Sequence, residues 1–145
     1  METCLQFIAS FSSLGIMLST IIIACRSQKL TKQLAEERKK TDMEKRQIDN
    51  YIMMQEKFYL LKSKKPVDMA NNTDQRRDYI KRYFDLCFEA FNLHKENAIK
   101  ETIWLIWVEQ MKDEMRPICY RAEWATRDPY SPAFRDFITK EIFVD

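Results

Sequence analysis

Apolar and polar positions divide the chain into segments with different periods. From Thr3 to Cys25 there are 23 residues without a formal charge, and the second half of this run, GIMLSTIIIAC, is strongly apolar. As a helix the run spans about 34 Å at 1.5 Å per residue, and a hydrocarbon core is about 30 Å thick. The pattern therefore predicts a transmembrane helix over 3–25. Gln6, Ser10, Ser12 and Ser13 dilute its first half, but hydroxyls that bond back to the helix are tolerated in lipid. Ala9 with Ser13 and Gly15 with Ser19 give small-xxx-small spacings that let two helix backbones approach, a face for self-association.

From Arg26 to Lys62 charged and amide side chains take over without a proline or glycine, which predicts a basic juxtamembrane helix over 26–62. Leu30 and Leu34 open a coiled-coil register, but its next seam positions are Glu37, Thr41 and Glu44 before Ile48 and Tyr51. A coiled coil needs apolar seam positions over three or four heptads. The first part thus reads as a solvated stalk and the part containing Ile48, Tyr51, Ile52, Phe58, Tyr59 and Leu61 as an amphipathic helix packed on a partner element. Residues 63–73, with Pro66, Asn71 and Asn72, form the predicted linker, and Thr73 or Asp74 can cap the helix that follows. Asn71-Asn72-Thr73 also fits the N-glycosylation acceptor pattern, without consequence in a cytoplasmic domain.

Residues 74–145 show helical stripes. Ile80, Phe84, Cys87, Phe88 and Phe91 share one face, widened by Tyr79 and Tyr83. The pattern pauses over Asn92–Asn97, resumes with Ile99, Ile103, Ile106, Trp107 and Met111, and breaks at Pro117. After the turn Asp128-Pro129-Tyr130 come Ser131 as a cap and Pro132 at the first helical position, then Phe134, Phe137, Ile138 and Ile142. With one glycine and four prolines in 145 residues, the chain lacks the hairpin punctuation of a sheet. The expected class is all-α: an N-terminal transmembrane helix, a basic stalk and a small C-terminal helical bundle.

Charge orients this arrangement. Residues 26–65 hold 12 basic and 6 acidic side chains, and residues 66–145 hold 12 basic and 15 acidic. No Lys or Arg precedes the apolar run, whereas Arg26, Lys29 and Lys32 follow it at once. The positive-inside rule then sets the N-terminus outside and the C-terminal domain in the cytoplasm, at the inner (plasma) membrane. Arg26, Lys29 and Lys32 are the candidate lipid-facing basic residues, each worth about 1 kcal/mol near an anionic surface. Ile22-Ile23-Ala24-Cys25 also matches a lipoprotein cleavage pattern with Cys25 as the lipidation site, although such a signal needs a basic n-region that this sequence lacks. Interspersed Glu36, Glu37, Asp42 and Glu44 speak against nucleic-acid binding. Cys87 and Cys119, in apolar helical context, read as small hydrophobes of a reducing compartment.

Candidate chemistry is sparse. His94 is the single histidine, and Cys87, two helical turns earlier, is too distant within one helix to form a nucleophile–base pair. Asp85 with Glu89 and Glu109 with Asp113 stand at i, i+4, but the Glu-x-x-His of di-iron bundles does not occur. With no P-loop, GxSxG or HExxH present, the expectation is a protein without catalytic residues, cofactor or metal. Trp104, Trp107 and Trp124 are the candidate partner-binding residues, since aromatic anchors dominate interface energetics.

Tyr83-Phe84-Asp85-Leu86-Cys87-Phe88-Glu89-Ala90-Phe91, then Leu93-His94-Lys95, Ile103-Trp104-Leu105-Ile106-Trp107 and Met111-Lys112, resemble a recurrent pattern in uncharacterised bacterial proteins with one N-terminal membrane helix. The resemblance covers about residues 78–124, rests on aromatic core spacing, and implies a membrane-anchored helical domain without naming a catalytic residue. Some anchored helical proteins of this kind accompany phage-defence operons, which adds a toxin-like effector acting on the membrane as an alternative. The leading expectation is an interaction or regulatory module whose partners are the lipid bilayer, a cytosolic protein and a second copy of itself.

Overall fold

The computed structural model describes residues 2–67, 73–127 and 130–143, of which residues 2–19 are described as backbone alone. The acceptor site at Asn71-Asn72 and the first residues of the 128–132 turn lie outside the described residues. The fold is all-helical, with no strand among the described residues. Its elements are α1 (Glu2–Lys62), α2 (Thr73–Lys95), α3 (Glu101–Met115), α4 (Ile118–Ala125), α5 (Pro132–Phe137) and a π-helical turn (Ile138–Ile142). Two compact units result, Met1–Met43 and Glu44–Asp145. The division falls inside α1 rather than in the linker, because residues after Met43 supply side chains to a core and the described side chains before it do not.

In the first unit every described side chain, from Thr20 to Met43, is exposed. Thr31 and Thr41 return their hydroxyls to the carbonyls of Ser27 (2.9 Å) and Glu37 (3.0 Å), so neither competes for an outside partner. Most of the expected transmembrane span lies among the residues described as backbone alone. Among the described residues no helix is long and apolar enough to cross a membrane.

The second unit has one apolar core. Met54 and Leu61 of α1, the α2 stripe of Tyr79, Ile80, Tyr83, Phe84, Cys87 and Phe91, and Trp104, Trp107, Met111 and Met115 of α3 meet Tyr120, Trp124, Phe134, Ile138 and Ile142. The α2 face is the one that the spacing predicts. On α3 the burial differs: Trp104 and Met115 are buried, whereas Ile106 is 57% exposed. Turning the helix to enclose an indole buries more apolar area than enclosing Ile106 would, and this decides the orientation.

The pause after α2 is a Schellman-type stop. Asn97 takes φ 54°, the left-handed region that asparagine tolerates best after glycine. The N–H of Ala98 donates to Leu93 O (2.8 Å) and that of Asn97 to His94 O (2.9 Å). Two amides of α1 hold the carbonyls of this turn, Gln47 on Asn97 O and Asn50 on Ala98 O, both at 2.9 Å. Ser131 caps α5 by accepting from Phe134 N at 3.4 Å, with Pro132 in the first turn. The π-helical turn is an addition that no residue pattern announces. It closes with Phe143 N donating to Ile138 O at 3.0 Å and keeps both Ile138 and Ile142 in the core.

Candidate functional site

The polar centre of the second unit is Glu114, in the last turn of α3, whose side chain is only 13% exposed. Its Oε1 accepts from three directions: Tyr120 Oη of α4 at 2.7 Å, Tyr79 Oη of α2 at 3.3 Å, and Lys65 Nζ of the segment after α1 at 2.5 Å. Burial, and then the adjacent carboxylate, push the phenols of Tyr79 and Tyr120 far up from their ordinary value. Tyr83 is raised first by burial and then by Cys87. Burial likewise raises the Cys87 thiol, with a hydrogen bond to Tyr83 opposing it in part. These groups therefore stay protonated at neutral pH, and a neutral buried thiol is not a nucleophile. The cluster joins four chain segments through one carboxylate oxygen, and what it supplies is rigidity.

Other titratable residues are likewise engaged. His94 Nε2 lies 2.8 Å from Glu101 Oε2, and its ring stacks on Trp104 with centroids 4.5 Å apart. This fastens the end of α2 to the start of α3. Of the paired carboxylates, Asp85 accepts from Tyr130 Oη at 2.7 Å and Glu89 pairs with Lys57, while Glu109 and Asp113 pair with Lys112 (2.9 Å) and Arg116 (2.8 Å). Among the described residues no three of His, Cys, Asp and Glu converge as a metal site would require.

Trp104, Trp107 and Trp124 all lie in the core, each at 6–7% exposure. Trp107 stacks on Tyr51 and Trp124 on Tyr130, at 6.2 and 5.4 Å between centroids, so the three indoles hold the core together and do not stand out from it. Beside Trp107 a cavity of about 30 Å³, lined among others by Met54, Phe58, Cys87 and Met111, has room for about one water. Grooves at the surface mix signs. One of about 330 Å³ takes Lys64, Gln75, Asp78, Tyr79 and Arg82, and one of about 440 Å³ takes Glu109, Lys112, Asp113, Arg116, Arg121 and Glu141.

The unit also presents apolar side chains outward. Ile48, Ile52, Tyr59 and Leu60 of α1, Leu105 and Ile106 of α3, and Ile118 of α4 are all at least half exposed. Single exposed apolar residues are ordinary, but Ile48, Ile52 and Tyr59 recur on one face of α1, as an interaction surface would. Periodicity reaches these residues but cannot tell which edge of a stripe faces out. Arg26, Lys29 and Lys32 are exposed and pair with no acid among the described residues. No protein-family model, curated protein or solved structure matches the chain.

Proposed function

We propose that the protein is a single-pass membrane protein whose helical C-terminal domain lies in the cytoplasm and acts by binding another protein, without catalysis. The observation that carries the anchor is the run Ile21-Ile22-Ile23. Successive helix residues point about 100° apart, and all three side chains are more than half exposed. A helix that is apolar all round and uncovered by the described residues is suited to lipid. Arg26, Lys29 and Lys32 follow at the level of the headgroups and fix the cytoplasmic side. The binding role is supported by the exposed apolar residues of α1 and α3, held on a core whose titratable groups are paired or kept protonated.

Membrane partition tests the reading. The chain should sediment with membranes and resist alkaline carbonate extraction, and Leu14→Asp should release a large part of it, since an aspartate at mid-span costs about 2.5–3.5 kcal/mol in insertion. Wild-type chain that is extracted by carbonate would rule out the anchor. The binding role is tested by Ile52→Asp, which should abolish capture of a cytosolic partner while leaving the domain folded.

A further inference from the structure

In the first unit, α1 carries an apolar stripe that none of the described residues covers. Ile23, Leu30 and Leu34 are 67%, 59% and 55% exposed. With Thr41 they follow a 7-4-7 spacing, and on a straight helix these four positions fall within an arc of about 40°. Ile23 to Leu34 and Leu30 to Thr41 are each eleven residues, the repeat of a nearly straight or gently right-handed helix pair. In a seven-residue register Glu37 would fall on the seam and interrupt it. In the eleven-residue register it moves to the flank.

Charge then selects the occupant and its direction. Arg38 and Asp42 lie on one flank of the stripe, Glu37 and Lys40 on the other, all exposed. In a parallel, in-register pair the two opposite flanks meet at the same level. Arg38 then meets Glu37 of the second copy and Asp42 meets Lys40, and the two-fold axis repeats both contacts. Antiparallel pairing on the same stripe sets Arg38 against Ser27 and brings Lys40 beside Arg26.

We propose that the 23–41 face of α1 is the contact between two parallel copies of this chain, with Ile23, Leu30, Leu34 and Thr41 at its centre and the Arg38–Glu37 and Asp42–Lys40 pairs at its edges. A shared membrane would enforce the same direction, but the stripe and its flanks do not depend on the anchor.

Disulfide cross-linking of the full chain tests this, in a background with Cys4, Cys25 and Cys119 changed to Ser. Leu34→Cys should cross-link to itself under mild oxidation, and Lys39→Cys, about 140° round the helix, should not. Arg38→Glu should weaken association about tenfold, by loss of two ion pairs and creation of two repulsions, and adding Glu37→Arg should restore it. These side chains are exposed in the single chain, so the substitutions leave the core intact. No cross-link at Leu34→Cys, equal yields at both positions, or a yield indifferent to Arg38→Glu would each overturn the proposal. Cross-linking is read separately from sedimentation, so a chain that leaves the membrane yet still pairs through Leu34 would sink the anchor and keep the pair.

Discussion

Replacing Glu114 by alanine is the most informative perturbation of the domain. Tyr120 is 0% exposed and its hydroxyl donates to Glu114 at 2.7 Å, so truncation leaves a buried donor that water cannot reach. Hydrogen bonds to charged groups contribute about 1.5–3 kcal/mol. The longer Tyr79 contact, at 3.3 Å, adds less. Lys65 is 37% exposed, and solvent screening reduces its share to about 0.5 kcal/mol. A loss of about 3 kcal/mol follows, which for a domain of this size lowers the Tm by about 12–20 °C. All three tryptophans of the chain are in this core, so urea unfolding followed by indole emission reports on it selectively. Glu114→Gln keeps an acceptor and should cost about half as much, and Tyr120→Phe about 1.5 kcal/mol. If Glu114→Ala unfolds within about 0.5 kcal/mol of the wild type, the carboxylate does not tie the helices together and the reasoning fails.

Alkaline pH should destabilise the domain. Cys87, Tyr79, Tyr83, Tyr120 and Tyr130 all have raised folded-state pKa values, so above the ordinary 9.0 of the thiol and 10.0 of the phenol the unfolded chain gives up protons that the folded chain retains. Stability is then level below about pH 9 and falls above it, by up to about 1.4 kcal/mol per pH unit for each such group; urea midpoints unchanged to pH 11 would contradict this. At Asn97, with φ 54°, alanine should cost about 1 kcal/mol and glycine little or nothing, and the reverse order in thermal melts would count against a left-handed stop. Ser131→Ala should remove about 1 kcal/mol through the lost cap of α5, a change that a shift of the melting curve by several degrees would register.

Local features of the fold were legible because they rest on local rules. The α2 face, the pause over Asn92–Asn97 and the Ser131-Pro132 start of α5 each follow from residues within a turn or two of one another. The orientation of α3 was not, because Ile106 and Trp104 both satisfy a helical period and only competition for the same core decides between them. The π-helical turn at Ile138–Ile142 was not either, because isoleucines four apart share a face on an ordinary α-helix as well and so do not call for it. Glu114 was illegible as a site, since Lys65, Tyr79 and Tyr120 reach it from three separate segments and no spacing links them. Conversely, the exposure of Leu30 and Leu34 makes visible a stripe that a heptad register conceals, because none of the described residues covers it.

The central claim, a membrane anchor with the helical domain on the cytoplasmic side, is tested most directly by matched C-terminal fusions to a fluorescent protein that matures only in the cytoplasm and a phosphatase active only outside it. Fluorescence without phosphatase activity, unchanged by Cys25→Ser, is the predicted result. Phosphatase activity, with release from the membrane on Cys25→Ser, would contradict it and place the domain outside on a lipidated cysteine.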